Sequence, residues 1–239
     1  MNNQDNFLAL YNEMDELLRK KYKVQNRSYS VILTFIQNLT SSGIPEYQKA
    51  GKKLNMIRVL RNNLIHDLNY NSDNLITITD ETIEFMKNIV SELKNPTNAY
   101  DICTKLSSLL YLKEGEPIDI KKMVEEMCKS GHSQIPFINS HNVLLGVFSA
   151  NALFAFLNDH SETSLDNLKI EDLKAYLPVN KHFSENYFFV AHNDSVEKVG
   201  NEYIERIIAK EKPVMMFVTK NGEPNQPILG VIVPKDIVS

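Results

Sequence analysis

Two similar stretches in the C-terminal half of the sequence constrain the fold more than any other feature. A predicted helix, a β-like run, a turn and a second β-like run occur before residue 157 and return in the same order from residue 195. Aligning Gly146 with Gly230 places the two units 84 residues apart. Such an internal repeat implies two similar units that pack face to face. We predict one repeat at about 100–160 and another at about 170–239.

The elements of each repeat follow from the local pattern. We expect a helix at about 98–112 and a second helix from Ile118 to Lys129, which Gly131 ends. Further helices are expected at 151–157 and 195–210, and β-strands at 134–138, 143–148, 214–219 and 228–233.

The first 95 residues show helical periodicity instead. Apolar residues recur at helical spacing in four stretches, and Pro45 suits the first turn of the third. A polar run at 69–74 separates the third stretch from the fourth, which Thr79 or Asp80 can cap. Four amphipathic helices with short loops indicate an antiparallel bundle. Because residues 95–98 read Asn-Pro-Thr-Asn, we predict an α+β protein with domains at 1–95 and 96–239.

Charge and composition limit the classes of partner. The chain is 43% hydrophobic with a net charge of −4, which excludes a disordered tail and argues against a general nucleic-acid coat. From Arg19 to Arg61, however, there are ten basic residues and one acid, Glu46. An anionic partner is one explanation of this stretch, and a merely solvated surface is the other.

Neither a membrane nor an oxidising compartment is indicated. No apolar run approaches the ~18 residues of a membrane span, and the N-terminus lacks the layout of a signal peptide. The two cysteines, Cys103 and Cys128, have no metal-type spacing. We therefore expect a soluble cytoplasmic protein with reduced thiols.

The repeats carry a family resemblance. Residues 131–139 and 145–149 look like a CBS domain, and residues 229–237 look like the closing strand and helix start of another. Together they resemble a tandem CBS (Bateman) module. The resemblance implies a regulatory adenine nucleotide, such as AMP, ATP or a dinucleotide, in the cleft between the repeats. The family fingerprint is Gly-x-x-Thr/Ser-x-x-Asp, whose hydroxyl contacts phosphate or ribose and whose carboxylate accepts from the ribose hydroxyls.

Each repeat keeps half of this fingerprint. The first has Ser149 but Ala152 at the Asp position, and the second has Asp236 but Val233 at the hydroxyl position. The resemblance implies ligand binding by Ser149 and Asp236, and we add two neighbouring residues, Ser133 and Gln134. Alternatively, Ser149 bonds backbone at a strand end and Asp236 is an ordinary helix N-terminal carboxylate. The split favours weaker binding, or a dinucleotide that uses both halves.

The third helix carries a second resemblance. The string Leu60-Arg61-Asn62-x-Leu64-Ile65-His66 resembles the HEPN family, whose members are often RNases and usually dimers. One subset of that family has Tyr two residues after the His, and Leu68 occupies that position here. The resemblance implies a homodimer with RNA as its partner.

The residue types suit RNA cleavage. RNA supplies its own nucleophile, the 2′-OH, so an enzyme needs a proton shuttle such as His66 and a cation such as Arg61. Asn62 can orient either group, and no acidic metal cluster accompanies them, so cleavage without a metal or other cofactor is implied. Arg61 shares an apolar stripe with Leu54, Ile57, Leu64 and Leu68.

Helix geometry bears on how these groups meet. His66 lies five residues after Arg61, about 140° around the helix, so two copies across a two-fold axis would converge them better. In the structural alternative, Arg61 pairs with a carboxylate such as Glu84, and His66 favours the helix C-terminus.

The sequence therefore predicts a toxin-like, homodimeric, metal-independent RNA endonuclease regulated by adenine nucleotide. The alternative is a non-catalytic dimeric helical interaction module that the CBS pair switches.

Overall fold

The computed structural model describes residues 3–66, 76–182 and 184–237. The chain divides into two compact units, Met1–Thr97 (the helical unit) and Asn98–Ser239 (the C-terminal unit). The predicted polar stop at 69–74 and Leu68 lie outside the described residues. Within those described ranges, no helix combines the length and hydrophobicity of a membrane span.

The helical unit contains the helices that the periodicity predicts: α1 (Asn3–Tyr22), α2 (Val31–Ser41), α3 (Pro45–His66) and α4 (Asp80–Lys94). Side chains cap two of them. The Ser30 hydroxyl accepts from the Leu33 N–H at α2, and the Thr79 hydroxyl accepts from the Thr82 N–H at α4. Each bond satisfies a donor that the first turn of a helix leaves free.

The core of the helical unit lies between these helices. Helix α1 packs mainly on α4, and α2 mainly on α3. The side chains buried most completely are Phe7, Met14, Leu18, Val31, Leu54 and Met86. Leu54, Ile57 and Leu64 of the predicted stripe are buried, whereas Arg61 on the same stripe is partly exposed. The third helix therefore places an arginine beside the core.

The C-terminal unit contains two successive sets of elements. The first set is α5 (Ala99–Ile102), β1 (Thr104–Lys105), a 3-10 helix (Leu106–Ser108), β2 (Leu112–Lys113), α6 (Ile120–Ser130), β3 (Gln134–Ile138), β4 (Leu144–Ser149) and α7 (Ala150–Asp159). After a 3-10 helix (Leu165–Asn167), the second set is α8 (Ile170–Leu173), a 3-10 helix (Val179–Lys181), β5 (Asn186–Ala191), α9 (Val196–Ile208), β6 (Pro213–Thr219), β7 (Gly230–Ile232) and α10 (Pro234–Ile237).

The helix predicted at 98–112 is wrong. A capping box of Asn98 and Asp101 starts a helix, but it ends after one turn at Cys103, and Thr104 is already in β1. The Leu106 N–H then bonds the carbonyl of Leu229. Pairing with a distant strand overrides the local helical spacing here.

The two repeats have the same strand connectivity. In the first, β2 lies parallel to β3, which pairs antiparallel with β4. In the second, β5 lies parallel to β6, which pairs antiparallel with β7. Strand β1 belongs to the first repeat but pairs with β7, so the sheets read β1-β7-β6-β5 and β2-β3-β4. Correspondingly, the carbonyl of Leu177 in the second repeat accepts from the Val147 N–H in β4. Each repeat thus lends an extended segment to the other.

The aligned glycines lie where these segments cross. A Cβ on Gly146 would overlap the carbonyl group of Leu177, and a Cβ on Gly230 would overlap the carbonyl oxygen of Thr104. Glycine is therefore needed at both positions for close backbone approach. With helices in the first unit and repeated α/β elements in the second, the predicted fold class is confirmed.

Candidate functional site

A pocket of about 540 Å³ opens in the helical unit between α1, the loop before α2, and α3. Its charged lining residues are Asp15, Glu16, Arg19, Arg27, Arg58 and Arg61. Tyr11, Tyr29 and Asn62 also line it. Arg19 is paired with Asp15 at 2.6 Å, so the remaining arginines make the pocket cationic on its α3 side. Such a pocket favours an anion.

Arg61 has the least satisfied polar group of this pocket. Its Nε is buried and has no hydrogen-bond partner among the described residues. Its Nη1 lies 3.5 Å from Oδ1 of Asn62, and its guanidinium carbon lies 5.3 Å from the centre of the Tyr11 ring. Buried donors in proteins are almost always paired, so Arg61 has capacity for an acceptor that the described chain does not supply.

Tyr11 lies beneath this guanidinium group. Burial raises the pKa of its hydroxyl, and the nearby charges of Arg61 and Arg58 oppose that rise. Since the pKa stays above its ordinary value, Tyr11 keeps its proton at neutral pH. The phenol is therefore a neutral wall of the pocket and adds no negative charge.

The loop before α2 is held by Arg19. Its Nη1 donates to the carbonyl of Asn26 at 2.9 Å, and its Nη2 donates to the carbonyl of Tyr29 at 3.2 Å. The Tyr29 hydroxyl is 2.8 Å from Oγ1 of Thr34 in α2. Although the loop is exposed, these hydrogen bonds restrain its backbone at two carbonyls and the Tyr29 ring at its hydroxyl.

The structure brings two of the three predicted catalytic residues together. Arg61 and Asn62 both line the pocket, and His66 is the last residue of α3. The His66 side chain lies outside the described part of the structure. Glu84, considered above as a partner for Arg61, lies 3.8 Å from Nζ of Lys87, and no ion pair of Arg61 occurs among the described residues.

A second polar centre lies in the C-terminal unit around Glu185, whose side chain is 7% exposed. Its Oε2 accepts from the hydroxyls of Ser149 and Tyr187 at 2.8 and 2.9 Å. The same oxygen lies 2.9 Å from Nδ1 of His182, and Oε1 accepts from Nε2 of Gln134 at 3.2 Å. Residues from both repeats thus surround one buried carboxylate.

The hydrogen bonds determine the charges of this centre. Nε2 of His182 lies 3.1 Å from the carbonyl of Leu177, which can only accept, so Nε2 carries a proton. Nδ1 of the same ring contacts Oε2 of Glu185, so the imidazole links the carboxylate to the Leu177 carbonyl. Burial acts to raise the pKa of Glu185, but its four hydrogen bonds outweigh burial and lower the pKa to about 2. Burial and the adjacent carboxylate raise the pKa of Tyr187.

The predicted ligand residues of the first repeat belong to this network. The Ser133 hydroxyl donates to Oε1 of Gln134 at 2.6 Å, and Gln134 donates to Glu185. Ser149 is fully buried, and its hydroxyl accepts from the Ala152 N–H at 3.1 Å while donating to Glu185. A protein carboxylate therefore occupies the donors that we assigned to a ligand anion.

Asp236, the predicted ligand residue of the second repeat, is half-buried. Its Oδ2 accepts from the Val233 N–H at 2.9 Å, at the start of α10. Ser149 and Asp236 thus both make the local backbone contacts that the structural alternatives describe. Their roles toward a ligand stay predictions.

Sequence reasoning missed Tyr29, His182 and Glu185. Tyr29 lies in a loop, outside any helical or strand pattern of apolar residues. It lines a pocket that forms only when three separate elements pack together. The apolar run of residues 187–190 could have revealed β5, and with it a buried position for Glu185. Nothing local indicates that His182 and Glu185 meet Ser149.

Comparison with known proteins yields structural matches alone. No family model matches the chain, and no curated protein matches its sequence. The chain is similar to a functionally unknown conserved protein domain from Neisseria meningitidis MC58, with TM-score 0.42 and 16% identity, covering 78% of this chain and 98% of that one. It is also similar to the CBS domains of a transcriptional regulator from Streptococcus pneumoniae, with TM-score 0.38 and 19% identity. That match covers 59% of this chain and 95% of the other. A third match is CBSX2 in complex with AMP, with TM-score 0.40 and 15% identity. It covers 59% of this chain and 93% of the other.

Proposed function

We propose that the helical unit is a metal-independent RNA endonuclease that binds phosphate in its arginine-rich pocket. The observation that carries this proposal is Arg61, which lines a cationic pocket and whose buried Nε lacks a partner among the described residues. A phosphate oxygen is an acceptor that suits this geometry, because guanidinium groups bind phosphate through forked hydrogen bonds. Arg58, three residues earlier on α3, adds a second cation.

The proposed reaction uses the chemistry of RNA itself. The 2′-oxygen forms a bond to the adjacent phosphorus while the bond to the 5′-oxygen breaks, which leaves a cyclic phosphate and a free 5′-hydroxyl. One proton leaves the 2′-hydroxyl and one reaches the departing oxygen, and His66 serves as the proton shuttle. Arg61 stabilises the charge that develops on the phosphorane, and Asn62 orients the guanidinium.

The angular separation of Arg61 and His66 supports a homodimer. The two residues are five apart, so they point about 140° away from each other on one helix. A two-fold axis beside α3 can bring His66 of one protomer toward Arg61 of the other. We therefore include homodimer formation in the proposal.

Cleavage of labelled RNA in the presence of EDTA tests this function. We expect cleavage by the wild type, and Arg61→Gln and His66→Ala variants should each be slower by about a hundredfold or more. Lys52→Ala is the matched control, since Lys52 is an exposed cation of the same helix outside the pocket. Equal rates for the wild type and both variants would refute the catalytic roles.

For the C-terminal unit we propose binding of an adenine nucleotide that regulates the helical unit. Support comes from the resemblance to tandem CBS modules and from the repeated α/β architecture. Asp236 at the start of α10 is the expected ribose contact, because its carboxylate can accept from a diol. Since Glu185 occupies the donors of Ser149 and Gln134, a ligand that uses those donors must displace the carboxylate.

One observation favours the non-catalytic alternative. Met56 and Val59 are 69% and 44% exposed and lie three residues apart on α3, so they share one face of the helix. They suit a helical interaction module that binds a protein partner. The same cleavage assay decides between the two functions, because such a module leaves RNA intact.

A further inference from the structure

The arginine-rich pocket is larger than a phosphate group requires. Its volume of about 540 Å³ lies within the range of ~300–1,000 Å³ that is typical of sites for whole small molecules. Its charges are also unevenly placed. Arg58 and Arg61 lie on the α3 side, whereas Asp15 and Glu16 lie on α1. A phosphate is therefore favoured near α3, and the space toward α1 and the loop remains for another part of the ligand.

Tyr29 is the exposed aromatic residue of the pocket lining. It is 50% exposed, whereas Tyr11, the other tyrosine of the lining, is buried. The Tyr29 ring is fixed through its hydroxyl by Thr34, and its carbonyl is held by Arg19. Because the ring is already ordered, stacking a flat group on it costs little side-chain entropy.

We infer that the pocket takes an unpaired nucleotide whose base stacks on Tyr29 while its phosphate binds Arg58 and Arg61. This inference rests on the proposed function and specifies its substrate as single-stranded RNA. Bases stack on aromatic side chains in single-strand sites, because every base has a π-face. A base inside an A-form duplex is stacked between its neighbours and paired, so it cannot reach Tyr29. The exposed cation Arg27, two residues earlier in the loop, suits a neighbouring phosphate.

Binding of a 2′-O-methyl oligonucleotide that contains 2-aminopurine tests this inference without requiring cleavage. Its 2′-oxygen is blocked, and the fluorescence of 2-aminopurine falls on stacking. We expect Tyr29→Ala to weaken binding by about 5- to 150-fold and to abolish the quenching. Tyr29→Phe and Tyr29→Trp keep an aromatic ring and should retain both signals.

Two variants separate stacking from loop structure. Thr34→Val removes the partner of the Tyr29 hydroxyl but leaves the ring, so it should bind within a few-fold of the wild type. Tyr111→Ala removes an exposed tyrosine of the C-terminal unit and should bind as the wild type does. Thermal unfolding of each variant identifies any loss of folding.

The outcomes distinguish the inference from the proposed function. If Tyr29→Ala weakens oligonucleotide binding but the wild type does not cleave ordinary RNA, the stacking site is supported and the catalytic proposal is refuted. If the affinity of Tyr29→Ala for the oligonucleotide stays within twofold of the wild-type value, the stacking site is overturned even if cleavage occurs. Equal wild-type affinity for duplex and single-stranded RNA would overturn it as well. The stacking site is also overturned if the wild type does not bind the oligonucleotide, or if 2-aminopurine fluorescence is quenched only with free mononucleotides.

Discussion

The buried carboxylate of Glu185 should make the C-terminal unit sensitive to acid. Its pKa is about 2 in the folded chain, against an ordinary value of 4.5. Because the folded pKa is the lower one, the stabilisation is fully present above pH ~4.5 and is lost as the pH falls toward ~2. At about 1.36 kcal/mol per pKa unit, the shift corresponds to on the order of 3 kcal/mol.

A Glu185→Gln variant tests this directly. Glutamine keeps the size and one acceptor oxygen but cannot ionise, so the hydrogen-bond donors around residue 185 lose the carboxylate charge that strengthens their bonds. At pH 6 we expect the C-terminal unit of the variant to be less stable than that of the wild type by roughly 3 kcal/mol. Near pH 2.5 the folded carboxylate is still mostly ionised, whereas the unfolded one is protonated, so this difference should shrink to roughly 1 kcal/mol.

Urea unfolding followed by methyl NMR measures each unit separately. Ile135 reports on the C-terminal unit and Ile32 on the helical unit, since both are in the cores of their units. Glu223→Gln is the matched control, because Glu223 is an exposed acid of the same unit. The assigned role of Glu185 is refuted if the free energies of unfolding reported by Ile135 differ between the wild type and Glu185→Gln by the same amount at pH 6 and at pH 2.5.

Two further predictions concern the ligand and the oligomeric state. Asp236→Ala should weaken AMP or ATP binding, measured by calorimetry, by about tenfold to a hundredfold; unchanged affinity would remove Asp236 from the site. Light scattering at micromolar concentration should give about twice the chain mass of 27.4 kDa, and a stable monomer would contradict the proposed dimer.

The elements that sequence reasoning predicted share a physical basis. In the helical unit, the apolar spacing, Pro45 at the start of α3 and Thr79 at the start of α4 each act within a single helix, so local rules suffice. The glycine pair Gly146 and Gly230 also pointed to the repeat, because a close backbone approach in each repeat requires the same residue. By contrast, the segment 98–112 has helical spacing, but Thr104 and Lys105 within it pair with β7, and local sequence rules do not include that distant partner.

The candidate sites divide in the same way. Arg61 could be found because a charge in an apolar stripe is visible in the sequence. The pocket could not, because its lining comes from α1, α3 and the loop that Arg19 holds. Glu185 was equally hidden, since its partners Gln134 and Ser149 lie 51 and 36 residues away. These residues meet only through tertiary packing, so no periodic pattern in the sequence indicates their contacts.

The split fingerprint of the C-terminal unit has a local explanation in helix capping. In a capping box, the first residue's side chain accepts from the backbone N–H three residues on, and that third residue's side chain accepts from the first residue's N–H. Ser149 makes the first of these bonds, to Ala152, and Asp236 makes the second, to Val233. Each repeat therefore keeps one half of a capping box at the start of its last helix.

This overlap determines how the ligand role of Asp236 must be tested. Removing a cap costs about 0.5–2 kcal/mol of stability on its own, so Asp236→Ala alters α10 as well as any ligand contact. Asp236→Asn keeps an acceptor oxygen for the Val233 N–H, removes the charge and replaces the other oxygen with an NH2 donor. If the carboxylate binds a ribose diol, Asp236→Asn should lose affinity for nucleotide while its unfolding temperature stays near that of the wild type. Unchanged affinity for nucleotide in Asp236→Asn would show that the carboxylate charge serves the helix and not the ligand.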